Sequence, residues 1–185
     1  MKNILILYIM SIFTIETSCS GQSINFGYDI NKNMVSKTKN SYGEHIVQNT
    51  NDNGLSSLRW IIMDACPEDT VTFATNLLGD TITLTGPEII IDRSLYILGL
   101  HQDSLTISGE DNSRIFNVQK DIIVGFEGMK LIRGYNQSEG GVILNKSQDL
   151  VLKNMVLEKN KESTTNKALT NKGHIKVEGT VIIRD

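Results

Sequence analysis

The chain has 185 residues, a formal net charge of −3 and 39% hydrophobic residues, enough for one domain with a modest core. Its lysines are interspersed with acidic residues, which excludes the one-sided basic surface of a nucleic-acid binder. After the first 20 residues no apolar run approaches the roughly 20 residues needed to span a bilayer.

The N-terminus carries an address. Lys2 is followed by an apolar run over residues 4–15, broken only by Ser11 and Thr14. That is the length of a signal-peptide core and too short for a membrane span. Ser18 and Ser20 put small side chains at the −3 and −1 positions of a cut before Gly21. A signal peptide over residues 1–20 and a secreted or cell-surface product are therefore expected. Lipidation of Cys19 stays open, because Thr17-Ser18-Cys19-Ser20 is partly like a lipobox, although Glu16 stands where an aliphatic residue is wanted. With the cut after Ser20 only Cys66 remains, and a lone thiol forms no intramolecular disulfide.

Residues 21–44, rich in Asn, Lys and Ser, read as a linker or loosely ordered arm. A domain over 45–185 follows. It opens with a short strand at 45–48 and a polar turn at 49–54. Leu58, Ile61, Ile62 and Ala65 then recur at i, i+3, i+4 and i+7, predicting a helix within 56–66 with Ser56 or Ser57 as N-cap and Pro67 as its stop.

From residue 70 onward short β-rich runs follow one another: 70–73, 81–84, 88–91, 95–98, 105–107, 115–118, 122–126, 129–132, 142–144, 150–152, 155–157, 175–177 and 180–183. Val124-Gly125-Phe126-Glu127-Gly128 aligns with Leu150-Val151-Leu152-Lys153-Asn154 and with Ile175-Lys176-Val177-Glu178-Gly179, at steps of 26 and 25 residues. Leu95-Tyr96-Ile97-Leu98-Gly99 fits one step earlier, at 29. Each unit places Gly or Asn two residues after its second apolar position, where a left-handed bend would be tolerated. A second register aligns Asn117, Asn145 and Asn171 as strand-closing residues. A common period of this length predicts a right-handed parallel β-helix, an all-β solenoid. The competing architecture, an antiparallel sandwich, has no need of a common period. In the solenoid the helix would cover the N-terminal end of the core.

Asn49-Thr50-Asn51-Asp52-Asn53-Gly54, then Ser57-Leu58-Arg59-Trp60-Ile61-Ile62 and Asp69-Thr70-Val71-Thr72-Phe73, resemble the opening motif of secreted bacterial β-helix proteins of the CSLREA-type or polymorphic outer-membrane-repeat kind. Gly140-Gly141-Val142-Ile143-Leu144-Asn145 resembles their internal repeat. The resemblance covers residues 46–160 and implies a β-helix on or beyond the cell surface, with adhesion as its usual suggested role. The sequence ends inside a predicted strand, 180–183, with no cap after it. This leads us to expect a truncated family member that frays at its last coil or associates end to end there.

Catalytic chemistry finds little purchase. A lyase needs a basic residue beside acidic ones on one face, but Arg93, Arg114 and Arg133 are spaced by 21 and 19 residues, off the repeat, and read as solvated arginines at strand ends. A hydrolase needs two carboxylates facing one cleft. Glu110-Asp111 reads as a turn, and Asp80 and Asp92 sit at other strand boundaries. Asn49, Asn51 and Asn53 imitate half a Ca²⁺ loop, yet Trp60 occupies the position of its bidentate Glu. His45, His101 and His174 lack partners at zinc spacing. Trp60 reads as packing rather than as a sugar platform, and the sequons at Asn136 and Asn145 as chance. No catalytic, cofactor or metal residue is therefore nominated. The expected function is a non-enzymatic, adhesin-like surface protein binding a glycan or a protein. A remnant of a polysaccharide lyase or hydrolase and a nonfunctional truncation are the alternatives.

Overall fold

A computed structural model describes residues 45–163 and 168–184 and, before them, the backbone of three strands: β1 (Thr14–Glu16), β2 (Gln22–Tyr28) and β3 (Met34–Asn40). The chain divides into two compact units, Met1–Gly43 and Glu44–Asp185. In the first, β2 pairs antiparallel with β1 and with β3. Ile24, Phe26 and Tyr28 alternate as a strand requires, within the stretch expected as a linker. The rest of the expected signal peptide, Cys19 included, lies outside the described residues.

The second unit is a parallel β-helix of about five turns. β4 (His45–Val47) and α1 (Leu58–Asp64) form its start. The next coil holds β5 (Thr70–Phe73), β6 (Thr81–Thr83) and β7 (Ile89–Ile91), and the one after it β8 (Leu95–Leu98), β9 (Thr106–Ser108) and β10 (Phe116–Val118). Then come β11 (Ile123–Ile132), β12 (Tyr135–Asn136) and β13 (Ile143–Asn145), followed by β14 (Asp149–Glu158), β15 (Lys161–Glu162) and β16 (Leu169–Asn171), and last β17 (His174–Arg184). One wall runs β4-β5-β8-β11-β14-β17, and another β7-β10-β13-β16, with every neighbour parallel.

The repeat sets the core. Val124, Leu150 and Ile175 stand opposite one another, as do Phe126, Leu152 and Val177, and Leu95 and Ile97 extend both columns one coil back. The Phe116 and Phe126 rings meet across the interior at 4.7 Å. Along these columns burial fails at the last rung, where Val177 is 57% and Ile183 61% exposed, β17 pairing among the described residues with β14 alone. Amide hydrogen exchange should therefore be much faster along β16 and β17 than along β8 and β9, since a terminal coil has neighbours on one side only. Equal protection in the two regions would contradict this.

Runs 122–126 and 129–132, expected as separate strands, form the single strand β11, and the same holds for β14 and β17. The bend inside each falls at the predicted Gly or Asn: Gly128, Asn154 and Gly179 all have left-handed backbones, with φ of 67°, 51° and 60°. Gly99 differs. The loop 99–105 separates β8 from β9 there, and a side chain at residue 99 would run into the Gly128 carbonyl. That loop also explains the longer step of 29 between Leu95 and Val124. The second register holds between Asn145 and Asn171, which stand opposite each other, and is corrected by one residue at Asn117. Asn145 faces Val118, not Asn117, which faces Leu144. A one-residue slip turns a side chain to the other face. Asn145 is thus fully buried, its Oδ1 accepting from the Ser147 N–H and hydroxyl and its Nδ2 donating to Asn171.

The helix is shorter than 56–66 because Ser56 has a left-handed backbone (φ 59°) and Ala65 is already extended. Leu58, Ile61, Ile62 and Ala65 are buried in the same core as Val71 and Phe73. Ser57, fully buried, is the N-cap, its hydroxyl accepting from the Trp60 N–H at 3.3 Å. Ser57→Ala should cost about 1 kcal/mol, lowering the melting temperature by roughly 2–4 °C; an unchanged melting temperature would remove the cap.

An ion pair that the sequence did not announce fastens this end. Asp52, 8% exposed, accepts from Arg59 Nε at 3.0 Å and Nη2 at 2.7 Å. Its other oxygen accepts from the Thr85 and Gly86 N–H groups at 3.1 and 2.8 Å. Arg59 in turn donates to the carbonyls of Pro87 and Glu88. The Asp and Arg of the opening motif thus tie the helix to the turn before β7.

Candidate functional site

A parallel β-helix presents every second side chain of a strand to solvent, and two outward regions carry more than isolated polar groups. The first lies on the long wall. Tyr96 on β8 lies across Gly125 on β11, one coil on, where any side chain at residue 125 would strike ring carbons Cδ2 and Cε2. The phenol donates to Glu127 Oε2, and Lys153 Nζ on β14 sits 3.1 Å from Glu127 Oε1. Burial, then the Glu127 carboxylate, pushes the Tyr96 phenol up to about 12. The Tyr96 hydrogen bond, against some burial and with help from Lys153, holds Glu127 below its ordinary value. Lys176 and Glu178 on β17 pair at 2.6 Å and continue the ladder. This is a neutral, mutually satisfied strip around one aromatic ring.

The second is a groove of about 520 Å³ between the turn at Pro87 and β12, within the size range of small-molecule clefts. Arg114, only 5% exposed, lies in it and donates to the Gly140 carbonyl at 2.8 Å, to Glu88 Oε2 at 2.9 Å and to the Glu139 carbonyl. Glu88 Oε1 accepts from Asn117 Nδ2 at 2.6 Å. On the facing side, Tyr135 and Asn136 belong to β12, which pairs with β15 and also bonds to the preceding coil through Tyr135 N–H to Ser113 O at 3.1 Å. The Asn136 oxygen accepts from the Ser138 N–H, the Ser138 hydroxyl and the Glu139 N–H, at 3.0, 3.1 and 3.2 Å. This fixes the direction in which its amide N–H groups point.

The residues weighed for catalysis are dispersed, each engaged locally. Arg93 pairs with Asp92 at 2.9 Å and donates to the Ala65 carbonyl at the helix end. Arg114, expected to be a solvated strand-end arginine, is instead buried, because Glu88 and the Gly140 carbonyl supply its partners from neighbouring coils. Arg133 bridges Glu110 and Asp111, both at 2.8 Å, bringing together an arginine and a turn whose linear spacing hides the meeting. Asp80 is exposed. His45 pairs with Asp69 and His174 with Asp149, at 2.7 and 2.6 Å, while His101 Nδ1 accepts from the Asp103 N–H. Among the described residues no three His, Cys, Asp or Glu side chains converge on a point that could hold a metal ion. Asn49 uses its amide to close the 49–55 turn, and Trp60 packs against the core. No helix among the described residues is long and apolar enough to cross a membrane.

Of the groove residues the sequence singles out only Arg114, as a possible base, and Asn136, as a sequon, and only the fold brings them together with Glu88, Asn112 and Tyr135. Comparison with family models, curated proteins and solved structures finds nothing that matches this chain.

Proposed function

We propose that the chain is a non-enzymatic, exported or cell-surface β-helix, adhesin-like in role, that holds a glycan or protein on its outward side chains. The observation that carries this reading is the state of the charged groups. Glu88 is committed to Arg114, Glu110 and Asp111 to Arg133, and Glu127 to Tyr96 and Lys153. A general acid or base must be free to exchange a proton with substrate, whereas a rigid, neutralised surface suits recognition. The signal-like N-terminus and the opening motif support export. The exposure of Val177 and Ile183 on β17 supports association with a second copy through that strand.

The full chain, expressed in a bacterial host and recovered from outside the cytoplasm, should begin at Gly21 and be open to added protease on intact cells. A lipid-modified Cys19 at the N-terminus would select the lipoprotein route. Retention in the cytoplasm with Met1 in place would overturn export. Sedimentation of the purified chain should show mass rising with concentration, and a strict monomer throughout would remove the self-association.

A further inference from the structure

We infer that the groove between the Pro87 turn and β12 is a binding site for a short neutral oligosaccharide. The inference rests on reading the chain as a binder, and it gives that reading a place and a ligand class. Three features of the groove converge on it. The first is charge. Among the described residues the ionised groups lining the groove are Glu88 and Arg114, which face each other at 2.9 Å. No unpaired cation lines it that would draw a uronate, sulfate or phosphate, and an acidic ligand would meet Glu88 unaided.

The second is the inventory of hydrogen-bonding groups left over. Among the described residues the Tyr135 hydroxyl and the Asn112 and Gln137 side-chain amides bond to no other protein group, and the Asn136 N–H groups donate to none. A carboxylate has about four acceptor positions, and Glu88 spends two, on Asn117 and Arg114. Donors and acceptors are therefore mixed at close range, as a chain of sugar hydroxyls, each both donor and acceptor, requires. The Tyr135 ring adds an apolar face of the kind that packs on sugar C–H groups.

The third is rigidity. Tyr135 and Asn136 sit on a strand held on both sides, the Asn136 amide is pinned by three bonds to its oxygen, and Arg114 is buried. Side chains fixed before binding lose little freedom when the ligand arrives.

The test uses the full chain on an array of neutral oligosaccharides beside uronic-acid and sulfated ones, followed by titration calorimetry with the best neutral binder. Neutral chains should bind and acidic ones should not. Tyr135→Ala should weaken binding by roughly tenfold. Because that variant could perturb β12, Asn112→Ala combined with Gln137→Ala provides a second probe, both residues being exposed and their side chains making no hydrogen bond to the protein. It should weaken binding by several fold with an unchanged circular dichroism melt. Binding of no neutral glycan on the array, binding of acidic glycans alone, or equal affinity in all variants would overturn the groove. None of these outcomes bears on export, which protease accessibility on cells reads separately.

Discussion

Asp52→Ala should cost the β-helix about 3–5 kcal/mol, the loss that follows when one partner of a buried ion pair is removed. Arg59 would be left facing the Pro87 and Glu88 carbonyls without its counter-charge, and the Thr85 and Gly86 N–H groups would lose their acceptor. Burial alone would push the Asp52 carboxyl up, but the Arg59 and backbone hydrogen bonds outweigh it and hold the group below 3.8. A carboxyl whose folded value is depressed stabilises the fold above its unfolded value and loses that contribution as pH falls through the folded one. The stability gap between wild type and Asp52→Ala, read from denaturant midpoints, should be full near neutrality and shrink as pH drops below 3.8. A gap independent of pH would mean that the carboxylate charge does not hold the cap.

Phe126→Ala should be comparably damaging, at about 3–5 kcal/mol. Phe126 is fully buried, stands between Ile97 and Leu152 in its column and meets Phe116 across the interior. Val177 occupies the same column one coil beyond Leu152 but is 57% exposed. Val177→Ala should therefore cost less than about 1 kcal/mol. The contrast between two positions that the repeat treats as equivalent is the informative quantity, and equal losses would mean that the last rung is covered.

The fold was legible because a parallel β-helix writes its geometry into the chain. Each coil must return an apolar residue to the same column, so Val124, Leu150 and Ile175 recur at nearly constant steps, and each tight bend needs a residue that tolerates a left-handed backbone, so Gly128, Asn154 and Gly179 recur with them. The wall β7-β10-β13-β16 was less legible. An asparagine can close a strand outward or sit inward if satisfied, and only the partners of Asn145, Ser147 and Asn171, decide which. The candidate site was almost illegible for the same reason. Glu88, Arg114 and Tyr135 lie on different coils, and no local spacing signals that a carboxylate 26 residues back will bury an arginine. Asp52 and Arg59 stood in plain view within the opening motif, but their role depends on the turn at Thr85–Gly86, 33 and 34 residues beyond Asp52.

Whether this chain holds a glycan or cuts one is decided by what becomes of the bound sugar. The full chain incubated with the neutral oligosaccharide that binds it best, then separated by mass, should return that oligosaccharide at its original length with no new reducing ends and no unsaturated product. Shortened chains that disappear in Glu88→Gln would contradict the reading as a binder and make the groove a catalytic cleft.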